Sequence, residues 1–118
     1  MPSVIVDKAR AVIEIHRAAF RHAVEAGVRI AMGTDSGVTP HGRNLRELTL
    51  MVAGGMSPAA ALEATTRSAA QLLGVDKDLG TIEEGKLADL VVVTGDPLDV
   101  QTLPERIESV WKAGARVV

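Results

Sequence analysis

The chain has 118 residues, 47% hydrophobic and 24% charged, with a net charge of −2 from 13 basic and 15 acidic side chains. That length suits one small domain, and that balance suits a buried core rather than a disordered tail. No basic patch invites nucleic acid, the run Leu90–Val93 is far short of the ~20 apolar residues that span a membrane, and the absence of cysteine excludes disulfides, zinc–thiolate sites and cysteine nucleophiles.

The first predicted element is an amphipathic helix over Asp7–Ala26. Ala9, Val12, Ile13, His16, Ala19, Phe20, Ala23 and Val24 recur at the three-four spacing of one buried face. Gly27 stands where a helix end favours a left-handed residue. The run Val28–Met32 then reads as a short, mostly apolar strand covered on both sides. Helix, glycine and apolar strand in succession predict a parallel α/β arrangement. Gly33-Thr34-Asp35 closes the strand, and Ser36 to Gly42 (Ser-Gly-Val-Thr-Pro-His-Gly) is a loop of turn formers.

Asn44 starts the next helix as a cap, with Glu47 three residues on to reach back. Leu45, Leu48, Met51 and Val52 form its apolar face, and Gly54-Gly55 ends it. Ser57-Pro58 opens a further helix, with serine as cap and proline at the first position. Its expected buried side is Ala59, Leu62, Ala69, Leu72 and Leu73, Thr65-Thr66 is a candidate break, and Gly74 is the stop. Beyond Asp76 the character turns to β. Leu79–Ile82 is short and extended, Glu83–Lys86 is a turn, and Ala88–Thr94 is a strand. Glu108–Lys112 and Ala115–Val118 are two strands joined at Ala113-Gly114. Asp89 is expected to make a local hydrogen bond where the strand begins.

The loop after a strand is the functional end of a parallel α/β fold, and Asp35 occupies that position. A carboxylate there can ligate a metal or accept a proton, although an aspartate in a turn, taken alone, is more often structural. His41 could orient a carbonyl and Arg43 could grip a carboxylate in bidentate fashion; the plainer alternatives are a loop histidine and an arginine that solvates the helix start. His16 and His22 are spaced too poorly on one helix to be a ligand pair. Ser36 has no base beside it for a triad.

Two segments carry a resemblance. Gly33-Thr34-Asp35-Ser36-Gly37 followed by His41-Gly42-Arg43-Asn44 and Glu47-Leu48 resembles the last barrel strand and loop of the amidohydrolase superfamily, nearest its imidazolonepropionase-like and prolidase-like members. The stretch Leu79 to Val93, with Asp96-Pro97-Leu98, resembles the place where those enzymes leave the barrel for a small β-sandwich. The resemblance implies a C-terminal fragment of a (β/α) TIM-like barrel followed by part of that sandwich, with residues 1–75 in the barrel and 76–118 in the sandwich. It implies hydrolysis of amide, dipeptide or cyclic-amide bonds by a metal-activated water. Asp35 would be both a metal ligand and the proton carrier, with His41 and Arg43 toward the substrate.

The implied metal is divalent, zinc foremost, and belongs to the complete enzyme. No His-x-His pair is present here and a barrel takes ~250 residues, so this chain alone is expected to be inactive, to bind no metal, and to self-associate or lean on a missing N-terminal part. A cytoplasmic location is expected from the lack of a visible secretory signal. The alternatives are a non-enzymatic, oligomerising interaction module and a small hydrolase that uses Asp35 and His41 without metal.

Overall fold

A computed structural model describes residues 3–37 and 40–118, with side chains from residue 6 onward. Helix α1 runs Ser3–Glu25, α2 Arg46–Ala53, α3 Pro58–Thr65 and α4 Arg67–Leu73. Strand β1 (Leu90–Val93) follows, then a 3-10 turn at Leu103–Arg106, β2 (Ile107–Lys112) and β3 (Ala115–Arg116). The sheet order is β1-β2-β3 and both pairings are antiparallel, with Leu90 opposite Trp111 and Trp111 opposite Arg116. Ala113 and Gly114 take left-handed φ values of 49° and 81°, the geometry that tight hairpins demand.

The Val28–Met32 segment departs from expectation. It carries no ladder, and no parallel pair occurs among the described residues. A strand exists only through a partner, and no other segment is offered to it. The Met32 N–H instead donates to the Ala64 carbonyl at the end of α3, at 2.9 Å. Ile30 and Met32 still pack against the core, whereas Val28 is left 56% exposed, so the apolar pattern is only partly satisfied without the sheet.

The core is small: Leu48 and Met51 from α2, Ala61 and Ala64 from α3, and Val100 and Leu103 around the 3-10 turn. It draws on both sides of residue 76. The apolar face of α2 is the one the spacing indicates. That of α1 is used only at Phe20, Ala23 and Val24, while Val12 is 64% exposed and His16 and Ala19 face solvent. The side of α3 and α4 is also rotated from expectation. Ala59 is exposed, and Leu72 and Leu73 are each 74% exposed. The cause is the break. The Thr65 and Thr66 hydroxyls donate back to the Leu62 carbonyl at 2.7 and 3.0 Å. Thr66 then leaves helical geometry at φ −125°, ψ −94°, so one periodicity cannot run through both helices. Ser57 caps α3 from its side chain, through the Ala60 N–H at 3.2 Å, and Gly74 closes α4 at φ 70°.

Candidate functional site

The segment from Val28 to Thr34 delivers Asp35 to the surface. Asp35 is exposed and its φ is 45°, a left-handed conformation that aspartate tolerates better than most residues. Its neighbours are fastened. The Asn44 Nδ2 donates to Thr34 Oγ1 at 2.8 Å and to Ser36 Oγ at 2.9 Å, and the two hydroxyls lie 3.0 Å apart. The Asn44 Oδ1 accepts from the Gly42 N–H at 3.2 Å.

This corrects the expected cap. Helix α2 has no side-chain cap; its first N–H groups reach the Arg43, Asn44 and Leu45 carbonyls in tight i to i−3 bonds of 3.1 to 3.2 Å. The loop is thus tied by a hydrogen-bond network that periodicity does not reveal. Its signal is compositional: two hydroxyl residues flank an aspartate, and a carboxamide follows within ten positions.

Arg43 comes to the same place. With Thr34, Ser36, Pro40, Asn44 and Glu47 it lines a shallow hollow of about 210 Å³. Arg43 and His41 are both exposed, and neither His41 nor Asp35 lines that hollow, which reaches the two residues flanking Asp35 but not Asp35 itself. Val38 and Thr39 of the predicted loop lie outside the described residues. Ser36 is bonded to Thr34 and Asn44 rather than to a histidine. His16 and His22 stand exposed on α1.

Asp35 would offer a divalent metal a carboxylate oxygen here, and Glu47 in the adjoining hollow is a second carboxylate. Among the described residues no three of His, Asp or Glu converge on a point, whereas a catalytic zinc usually takes three protein ligands. Asp35 therefore fits as one member of a ligand set and does not make a site by itself.

The carboxyls with strengthened acidity lie elsewhere. Asp89 is held below its ordinary value by a hydrogen bond from the Lys112 ammonium and another from the Ala113 N–H. That N–H lies 2.8 Å from Asp89 Oδ1, so Asp89 staples the hairpin turn to the start of β1 rather than making a local bond. Thr81 and Lys86 lower Glu83, and Thr102 foremost lowers Asp99. Arg106 closes the loop before β2 by donating to the Thr94, Asp96 and Asp99 carbonyls. These are structural fastenings. No helix among the described residues is long and apolar enough to cross a membrane.

Residues 2–117 match the amidohydrolase family. Ochratoxinase from Aspergillus niger is 37% identical over 112 residues, 91% of this chain and 23% of that protein. Imidazolonepropionase from Shouchella clausii is 41% identical over 110 residues, 83% of this chain and 23% of that protein. Among solved structures, a Xaa-Pro dipeptidase with methionine bound in its active site is similar at a TM-score of 0.88 and 40% identity, over 99% of this chain and 29% of that one. The chain thus spans less than a quarter of the length of these two curated relatives.

Proposed function

The chain belongs to the amidohydrolase family, and we propose that it forms the C-terminal part of a metal-dependent hydrolase of carbon–nitrogen bonds. In this reading residues 1–75 are the last portion of a (β/α) barrel and residues 76–118 are strands of a composite β-sandwich. The observation that carries it is the placement of Asp35: an exposed carboxylate in a left-handed turn, on a loop tied at both flanks, within a match that runs nearly end to end.

Bound there, a divalent metal would lower the pKa of water and polarise a carbonyl. Asp35 would hold one coordination position, and as a base it would take a proton from the attacking water and pass it to the leaving nitrogen. Arg43, in the hollow beside Thr34 and Ser36, holds a substrate carboxylate, and His41 orients the carbonyl. The names of the relatives support an amide, dipeptide or cyclic amide as substrate class. The test is hydrolysis by the complete enzyme of a panel of Xaa-Pro dipeptides, N-acyl amino acids and cyclic amides. Asp35→Asn should abolish turnover of whichever substrate is cleaved, and a chelator should do the same. Turnover that survives Asp35→Asn would overturn the reading.

A further inference from the structure

The sequence offers Asn44 as a helix cap, a role worth about 1 kcal/mol, yet the N-cap position of α2 falls on Leu45 and the Asn44 carboxamide serves the loop instead. Both N–H donors and the carbonyl oxygen of this amide are directed at three points of the loop that presents Asp35. The Nδ2 takes the Thr34 and Ser36 hydroxyls, and the Oδ1 takes the Gly42 N–H. Only Asp35 lies between the two hydroxyl residues. Fixing the side chains on both sides of it restrains its backbone, which sits at φ 45°. Helix α2 needs no part of this amide, because its first N–H groups are satisfied by the preceding carbonyls.

We infer that Asn44 is a positioning residue for the reaction, acting through Thr34 and Ser36 to hold the Asp35 carboxylate in register. The inference rests on the reading of Asp35 as the proton-transfer residue. Such outer partners matter because reacting groups must be held to about half an ångström, and their loss typically costs about 10- to 100-fold in metal affinity or activity.

Two measurements test it. In the complete enzyme, ¹⁵N NMR with selective labelling should show Thr34, Asp35 and Ser36 as ordered as α2. In Asn44→Ala those three amides should lose order and the Asp35 backbone coupling should move, while the α2 and α3 shifts stay in place. In the complete enzyme, Asn44→Ala should lower kcat by about 10- to 100-fold with KM little changed. Asn44→Asp should restore most of kcat, because the hydroxyls can turn to donate to a carboxylate and Gly42 keeps its acceptor. Should Asn44→Ala fail to fold, Thr34→Val removes one hydroxyl at nearly constant volume and should show the same split. Unchanged order at Asp35, a rise in KM alone, or full activity in Asn44→Ala or Thr34→Val would overturn the inference. Asp35→Asn separates the two levels. An inactive Asp35→Asn beside a fully active Asn44→Ala sinks only the role of Asn44, whereas an active Asp35→Asn sinks the reading beneath it.

Discussion

Asp89 shows how much one side chain can organise. One of its oxygens accepts from the Ala113 N–H at 2.8 Å and the other from the Lys112 ammonium, so the carboxylate closes the hairpin turn onto the start of β1. Both bonds favour the charged form, which is why its pKa lies below the ordinary 3.8. A group whose pKa is depressed on folding contributes stability above its unfolded value, and that contribution is lost as pH falls through the folded value. The sheet should therefore weaken in acid below about pH 4. Trp111, on β2 opposite Leu90, reports it by fluorescence during urea unfolding. Asp89→Asn should be less stable than the parent at pH 7, and its deficit should shrink as the pH falls through the folded value of Asp89. A mutant deficit that persists unchanged into acid would contradict the assignment. Sequence spacing exposes Asp89 as a residue at the start of a strand but not its partners, which lie 23 and 24 positions away. The position of Asp35 after an apolar run is legible for the opposite reason, since the signal is local. Asn44 misleads because the same residue type serves a cap and a loop tie.

Among the elements, those set by local chemistry are the ones the sequence announces. Serine followed by proline starts α3, two threonines break it, a left-handed glycine ends α4, and Ala113-Gly114 turns the hairpin. The elements that depend on what covers them are the ones it misstates: the rotated side of α3 and α4, the half-used face of α1, and the unpaired Val28–Met32 run. Gly80 joins the two kinds. It lies in the segment after α4 at φ 94°, and a Cβ there would meet the Ala70 Cβ at 2.6 Å, the Thr66 carbonyl oxygen at 3.1 Å and the Arg67 Cα at 3.3 Å. None of these is the end of a flexible side chain. Gly80→Ala should thus cost about 2–4 kcal/mol, from backbone strain and overpacking together. Gly85, at φ 88° with nothing within 4 Å of its would-be Cβ, is the control, and its alanine variant should lose about 1–2 kcal/mol from conformation alone. Urea midpoints of the two variants decide the matter. Equal losses would show that the segment does not sit against α4 in solution.

At the scale of the whole molecule, the shape and the surface point the same way. The radius of gyration is 16.4 Å and the longest extent 53 Å, against the ~13.5 Å radius expected of a compact domain this long. Among the described residues seven apolar side chains are buried, six of them in the single core cluster and Ala70 outside it. Outside it, Val12, Ile13 and Ile15 stand exposed along α1, Leu72 and Leu73 on α4, and Ile82, Leu87, Val91 and Val92 around the sheet. Leu73, Ile82, Leu87 and Val91 border one continuous concavity of about 450 Å³. Strand β1 pairs only with β2 among the described residues, which leaves one apolar edge open, and such edges recruit other strands. Apolar surface of this extent is seldom left in water, and a core of this size contributes little against the conformational entropy of more than a hundred residues. The isolated chain should therefore self-associate. Light scattering between about 5 and 200 µM should show mass rising with concentration, the mass-action signature of association. Introducing charge at the exposed patch, as in Leu73→Lys with Val91→Lys, should shift the chain toward monomer without unfolding the α2–α3 core, because neither side chain belongs to that cluster. A monomer at every concentration, unfolding in one sharp transition, would mean that the small core suffices alone and would favour a stand-alone module over a part of a larger enzyme.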